Sequence, residues 1–119
     1  MNKIVINNCY GGFNLSNEAW DWMIEHGLGK EYYNENPDYN PKIRGSFYGY
    51  KYYPSYEPEL PRHHPLLVQC VEELGNKANG NCAELIIVEI PGNQYRINEY
   101  DGVESIETPE WGWDWIKID

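Results

Sequence analysis

The chain of 119 residues has the length of one domain, and its formal net charge of −10 argues against several classes of partner. Such an acidic domain is repelled by phosphate backbones and by anionic lipid surfaces, so we expect neither direct nucleic-acid binding nor membrane association. The charge is compatible with a basic protein partner, with imitation of a nucleic acid, and with a small anion held by Arg side chains and backbone amides.

Tyr and Trp dominate the aromatic content, with 11 Tyr and 5 Trp against 2 Phe. These side chains favour interfaces and binding surfaces as well as cores. Cys9, Cys70 and Cys82 are odd in number and lack C-x-x-C spacing, which predicts no disulfide framework and a reducing compartment. With no signal peptide and no apolar run near the roughly 20 residues that span a bilayer, we expect a cytoplasmic protein.

The first predicted elements are a strand at 3–8 and a helix at about 17–26. Consecutive β-branched residues predict the strand, and Ser16 is placed as the N-cap of the helix. Gly11 and Gly12 lie between the two elements. A strand, a glycine turn and a helix N-terminus in this order can expose backbone N–H groups to an anion.

The segment at about 29–61, here called the Tyr-rich excursion, has a different character. Eight of the 11 tyrosines fall between Tyr32 and Tyr56, mixed with Asn, Pro and Gly. No helical or strand period persists, although one short strand is predicted around 46–53. A long irregular segment in a compact domain is usually functional, disordered or an oligomer contact, and the many aromatics argue against simple disorder.

The second half of the chain is predicted to contain one helix and three strands. The helix covers about 65–78, with Pro65 at its first position, and the strands cover 83–90, 94–100 and 103–108. The first strand is apolar on both faces, so we expect it to be central in its sheet. Asp101-Gly102 is a strong signal for a two-residue hairpin turn, which makes the three strands a meander.

These elements follow the order β-α-excursion-α-β-β-β, which predicts a single α+β domain with two helices packed on one face of a mostly antiparallel sheet. The tail at about 110–119 places Trp111, Trp113 and Trp115 at period two and could add another strand with one aromatic face. We expect the domain to form a homo-oligomer, because its surplus aromatics are typical of interfaces.

Three segments of the chain carry a likeness to known proteins: KIVINNCYGGFNLS, HPLLVQCVEELGNKANGNCAELIIVEIP and INEYDGVESI. They resemble a group of small uncharacterised proteins encoded by bacteriophages and prophages, over residues 3–26 and 62–108. The resemblance implies a phage context, in which small acidic proteins block a host defence protein, imitate nucleic acid or sequester a nucleotide signal by stoichiometric binding. The Tyr-rich excursion and the tail lie outside it.

The glycine turn and the segment before the second helix together suggest a ligand site. In this hypothesis the turn and Arg62 hold a phosphate or carboxylate, and a Tyr or Trp stacks on a base. The alternative is a tight strand-to-helix turn, since no nucleotide-binding fingerprint is present. The predicted ligand-binding residues are Tyr10, Gly11, Gly12, Phe13, Ser16, Arg62, His63 and Tyr100.

Metal binding and catalysis are weaker interpretations. His63 and His64 could bind a metal, but His26 is the only further histidine and the spacing is not that of a ligand set; the alternative is that His64 caps the helix. Cys9 as a nucleophile would need one of these histidines as its base, whereas a small core residue explains it more simply. We therefore predict no enzyme, no cofactor and no metal site.

Two surface features bear on the function. The carboxylates of the predicted hairpin could imitate phosphates or do acid–base work, or could simply be solvated turn charges: Glu99, Asp101, Glu104 and Glu107. The alternating rings of Tyr48, Tyr50 and Tyr52 could line a pocket, form an interface, or pack over the core.

The leading hypothesis is a phage-type accessory protein that counters host defence by binding a small, anionic, nucleotide-like signal. The alternative is an acidic protein–protein inhibitor or nucleic-acid mimic that blocks a host defence protein.

Overall fold

The structure is a computed structural model, and it describes residues 2–43, 47–109 and 115–118. The helices are α1 (Asn17–Glu25) and α2 (Pro65–Leu74). The strands are β1 (Asn2–Asn7), β2 (Tyr33–Glu35), β3 (Tyr52–Pro54), β4 (Leu85–Ile90), β5 (Gln94–Tyr100), β6 (Val103–Glu107) and β7 (Ile116–Lys117). The predicted α+β class is confirmed: one compact domain contains two helices and several small antiparallel sheets.

Both helices begin where their caps predict. The Ser16 hydroxyl accepts a hydrogen bond from the Ala19 amide at 3.0 Å, and Pro65 occupies the first turn of α2. His64 caps α2, because its Nδ1 accepts from the Leu66 amide at 3.1 Å. Burial lowers the pKa of His64, which favours the neutral ring that this bond requires.

Helix α2 is shorter than the predicted 65–78. It ends at Leu74, since Gly75 has a positive φ of 56°, and a 3₁₀ turn over Gly75–Ala78 follows. Ala78 is fully buried on the core side. The 3₁₀ turn therefore continues the apolar face of the helix, and this is why the periodicity extends past the helix end.

Strands β1 and β4 form the middle layer of the domain. They pair antiparallel from Asn2↔Ile90 to Asn7↔Leu85. One face, with Val5 and Leu85, packs in the same core cluster as the helices. The other face packs against the β5–β6 hairpin in a second cluster that contains Ile4, Ile6, Ile86, Val88, Ile90, Tyr95, Ile97 and Ile106.

The predicted meander is only half right. β5 pairs with β6 across Asp101-Gly102, where φ is 50° and 91°, as the hairpin signal predicts. β4, however, pairs with β1 and not with β5. The prediction that this strand is central in its sheet was wrong: its two faces are apolar because layers cover both, while its sheet has two strands.

The Tyr-rich excursion folds back over the start of α1. β2 pairs with β3 antiparallel, and Tyr33 packs edge-on against Tyr52 with ring centroids 5.6 Å apart. Asn17 fixes the segment, because its side chain donates to Gly49 O at 3.0 Å and accepts from the Lys51 amide at 2.8 Å. The strand predicted around 46–53 lies later, over Tyr52–Pro54.

The tail contributes one short strand. β7 pairs antiparallel with the start of β5, and the Arg96 guanidinium lies 4.3 Å from the centre of the Trp115 ring. Trp111 and Trp113, on which the predicted aromatic face of the tail depends, lie outside the described residues. Neither α1 nor α2 has the length and apolar character needed to cross a bilayer, and the same holds for every helix among the described residues.

Candidate functional site

The glycine turn is shaped by its neighbours in the fold. A Cβ on Gly11 would collide with the carbonyl oxygen of Cys82, and Gly12 has a φ of 89°. On the other side, a Cβ on Gly102 would collide with Tyr10 O and Gly12 N. The loop therefore lies between the turn at Cys82 and the tip of the β5–β6 hairpin, so close packing explains Gly11 and the positive φ explains Gly12.

The buried Asn7 side chain connects this loop to the segments on either side of it. Its fully buried amide donates to Cys9 O at 2.6 Å and to Gly102 O at 2.7 Å, and it accepts from the Glu84 amide at 2.8 Å. Its backbone N–H donates to Glu104 at 2.8 Å. These bonds occupy polar groups on three sides of the loop, which supports the turn interpretation over an anion cradle.

The Arg62 charge is matched within the protein. Its guanidinium forms a bidentate pair with Glu104 at 2.5 and 2.8 Å, and the two side chains are only 16% and 7% exposed. The same guanidinium lies 3.6 Å from the centre of the Phe13 ring. Arg62 thus belongs to an internal ion pair, and its guanidinium group stacks on an aromatic ring.

A cavity of about 490 Å³ opens beside this stack. This volume falls within the range of small-molecule sites. Its walls bring together the strand-to-helix loop, helix α1 and the Tyr-rich excursion. Five aromatic side chains among the described residues line it: Phe13, Trp20, Tyr50, Tyr52 and Tyr53. Their apolar ring surface predominates, with a few polar groups between the rings.

The Tyr50 hydroxyl is the most defined polar group of the cavity. It accepts hydrogen bonds from Asn14 Nδ2 at 2.9 Å and from the Asn81 amide at 2.7 Å. A phenol oxygen that accepts twice still has its own proton to donate. The Tyr50 O–H is therefore oriented by two neighbours and keeps one donor for a ligand or water.

Tyr52 forms the rear of the cavity next to α1. Burial, the nearby Asp21 carboxylate and a hydrogen bond to it raise the pKa of Tyr52, so the phenol stays protonated at neutral pH. Asp21 in turn pairs with Lys51 at 3.0 Å. This wall is accordingly neutral overall.

The eight predicted ligand residues separate into different places. Phe13 and Arg62 line the cavity, so the structure does bring Arg62 and the excursion tyrosines together. Gly11, Gly12 and Ser16 are outside its lining, and the Ser16 hydroxyl caps α1 while donating to Lys77 O at 2.6 Å.

The remaining three predicted residues lie on other surfaces. His63 Nδ1 hydrogen-bonds to the buried Tyr95 hydroxyl at 2.6 Å, beside a separate depression of about 290 Å³. Tyr10 and Tyr100 share a depression of about 250 Å³ at the hairpin tip. Five of the eight predicted residues thus lie on three surfaces, of which the aromatic cavity has the largest volume.

Sequence reasoning missed the polar partners of the cavity. Asn14, Asn81 and Glu59 line it, and Glu104 neutralises Arg62. The alternation of Tyr48, Tyr50 and Tyr52 was the one local signal, and two of those three rings do line the cavity.

Histidines and cysteines do not gather into a metal site within residues 2–43, 47–109 and 115–118, where no group of three potential ligands occurs. His26 stacks on Trp22 with ring centroids 3.8 Å apart, and His64 caps α2. Cys70 is buried, and burial raises the pKa of its thiol to about 12.

Comparison with protein-family models, with curated proteins and with solved structures finds no match to this chain.

Proposed function

We propose that the protein acts by stoichiometric binding, and that its aromatic cavity takes a planar, nucleoside-like ring. The observation that carries the proposal is the convergence of five aromatic side chains around a space of about 490 Å³. Aromatic faces stack on planar rings, and each stacked base contributes about 1–3 kcal/mol in nucleic-acid-binding proteins. The Tyr50 O–H supplies one directed donor to an acceptor on the ring.

The lining of the cavity favours ring binding. Of the usual nucleophiles and bases, the described lining holds the Glu59 carboxylate and three tyrosines, and it includes no Cys, Ser, Thr, His or Lys. In the phage context that the sequence resemblance implies, such a protein would sequester a signal of host defence that carries a nucleoside-like ring, in the host cytoplasm.

Isothermal titration calorimetry against nucleosides, cyclic dinucleotides and ADP-ribose derivatives tests this proposal. We expect one ligand per chain, and we expect Tyr53→Ala to weaken binding by about tenfold or more through loss of a stacking face. Tyr56→Ala is the matched control, because Tyr56 is 92% exposed and does not line the cavity. Absence of heat across the panel, or equal affinity of the two variants, would overturn it.

Mass spectrometry of the recovered ligand separates binding from catalysis. We expect the ligand to leave the protein unchanged after prolonged incubation. A product of altered mass, formed by the native chain and not by Tyr53→Ala, would make the cavity an active site.

A second candidate function rests on the hairpin tip. Tyr10 and Tyr100 are 75% and 76% exposed, and they share their depression with Glu99. Exposed tyrosines beside carboxylates are suited to a basic protein surface, as the inhibitor or nucleic-acid-mimic hypothesis requires. This surface is distinct from the aromatic cavity, since none of the described residues lines both.

Binding of a basic host nuclease tests this second candidate. Tyr10→Ala and Tyr100→Ala should each weaken capture and inhibition, and Tyr53→Ala should not. Inhibition that is insensitive to both hairpin-tip variants would exclude this surface.

A further inference from the structure

The charges around the aromatic cavity indicate which rings it accepts. We propose that the cavity selects uncharged and positively charged rings over phosphorylated ones, and that Glu59 is the specificity-determining side chain. The inference rests on the proposed ring-binding function and assigns the charge class of its ligand.

The first step is that the one cationic side chain in the described lining is already neutralised. Arg62 holds Glu104 in a bidentate pair, and Glu104 is 7% exposed at its side chain. A ligand phosphate would have to compete with a buried carboxylate that is already in ideal geometry. The positive charge of Arg62 is therefore not free to bind a phosphate, and Arg62 contributes to the cavity mainly the flat surface of its guanidinium group.

The second step is that the cation beside the lining residue Tyr52 is also paired. Lys51 precedes Tyr52 in the chain and contacts Asp21 at 3.0 Å. The Asp21 carboxylate is next to the Tyr52 phenol as well. Arg62 and Lys51 are thus each balanced by a carboxylate.

The third step concerns Glu59, because the negative charge of its carboxylate has no partner in the described chain. It lines the cavity and is exposed, and no hydrogen bond or ion pair connects its carboxylate to another residue in the described chain. A phosphate in the cavity would face this bare carboxylate at close range. A positively charged ring would gain from it by the same Coulomb term.

The aromatic walls add to the preference. The faces of Tyr, Trp and Phe rings carry negative potential and attract cations. The cavity already shows this interaction, since the Arg62 guanidinium lies over the Phe13 ring. The net charge of −10 adds a long-range field of the same sign.

Three adenine ligands with matched rings and different charges provide the test. Adenosine is neutral, 1-methyladenosine carries a positive charge on its ring at neutral pH, and AMP carries a phosphate. Adenine is suitable because stacking is tolerant of base identity. Calorimetry at low salt on the native chain should rank 1-methyladenosine first, adenosine second and AMP last.

Glu59→Gln assigns the effect to one side chain. This variant should bind 1-methyladenosine about three- to fivefold more weakly and AMP more tightly by a similar factor, with adenosine unchanged, as expected for one exposed charge. Glu57→Gln is the matched control, since Glu57 is also exposed but does not line the cavity. It should leave all three affinities unchanged.

The outcomes separate this inference from the proposed function. Three results would overturn the charge selection and leave ring binding in place. The native chain could bind all three ligands with equal affinity, it could bind AMP more tightly than adenosine, or the Glu59→Gln variant could bind all three as the native chain does. Absence of binding by all three would overturn ring binding, and the inference with it.

Discussion

The hairpin side and the cavity side of the molecule use their polar groups differently. Around Asn7, Arg62 and Glu104, buried polar groups are joined to partners within the protein. Around the cavity, the Tyr50 hydroxyl has a proton left to donate and the Glu59 carboxylate is unpaired within the described residues. Internal pairing is typical of a structural role, whereas remaining hydrogen-bonding capacity on a concave surface suits a ligand.

The largest expected effect is on the buried ion pair of the hairpin side. Glu104→Gln leaves the Arg62 guanidinium without its charge partner, and we expect the free energy of unfolding to fall by about 3–5 kcal/mol. Urea denaturation at neutral pH measures this. Glu107→Gln is the matched control, because its pair with Arg96 has side chains 45% and 44% exposed and is screened by water. Equal destabilisation by the two variants would remove the structural role assigned to Arg62.

The second-largest effect concerns the Asn7 side chain, whose hydrogen bonds anchor the glycine turn. Asn7→Ala removes three side-chain hydrogen bonds and leaves buried backbone groups unpaired, so we expect a loss of about 2–4 kcal/mol. Asn8→Ala is the control, since Asn8 is exposed and its backbone amide donates to Glu84 O at 2.8 Å, a bond that the substitution keeps. Urea denaturation of the pair measures the difference. A stable Asn7→Ala variant would show that the turn does not depend on this side chain.

These two sites also show what could be predicted from the sequence. Ser16, Pro65 and Asp101-Gly102 act through neighbours in the chain, so both helix starts and the hairpin were predictable. The pairing of Arg62 with Glu104 joins residues 42 apart, and no local pattern encodes it. The sequence therefore predicted Arg62 as a ligand contact and could not indicate that Glu104 is its partner.

The cavity illustrates the same division. Tyr50 meets Asn14 and Asn81 from 36 and 31 residues away, so the alternation of tyrosines predicted a ring surface without its polar partners. β4 looked like the centre of a sheet because apolar residues on both faces do not distinguish a central strand from a middle layer. Layering is a long-range property of the chain.

The third prediction is a pH dependence on the hairpin side. Burial raises the pKa of Tyr95 to about 12, against about 10 in an unfolded chain. The folded state therefore keeps the phenol proton where the unfolded state loses it. Stability is unaffected by this group below about pH 10, falls between about pH 10 and 12, and levels off above, with a total loss of about 2–3 kcal/mol.

Unfolding free energies from about pH 9 to about pH 11.5 measure that slope. Tyr95→Phe should make the slope less steep without abolishing it, because burial also raises the pKa of the Cys70 thiol to about 12; the variant also loses the bond to His63. Tyr56→Phe should leave it as in the native chain, because Tyr56 is 92% exposed. Identical slopes in the native chain and Tyr95→Phe would place the alkaline sensitivity elsewhere.

The smallest effect tests the boundary between the two sides most directly. Ser16 was predicted to bind a ligand, but its hydroxyl accepts from the Ala19 amide and donates to Lys77 O, so both of its functions are internal. Ser16→Ala should lower the free energy of unfolding by about 1 kcal/mol, the usual loss of an N-cap. Calorimetry with the ring ligand should give the native affinity, whereas Tyr50→Phe should reduce affinity through loss of its hydroxyl donor. A Ser16→Ala variant that keeps its stability and loses affinity would move the ligand from the aromatic cavity to the helix N-terminus, because only direct contact with a ligand would then explain the serine.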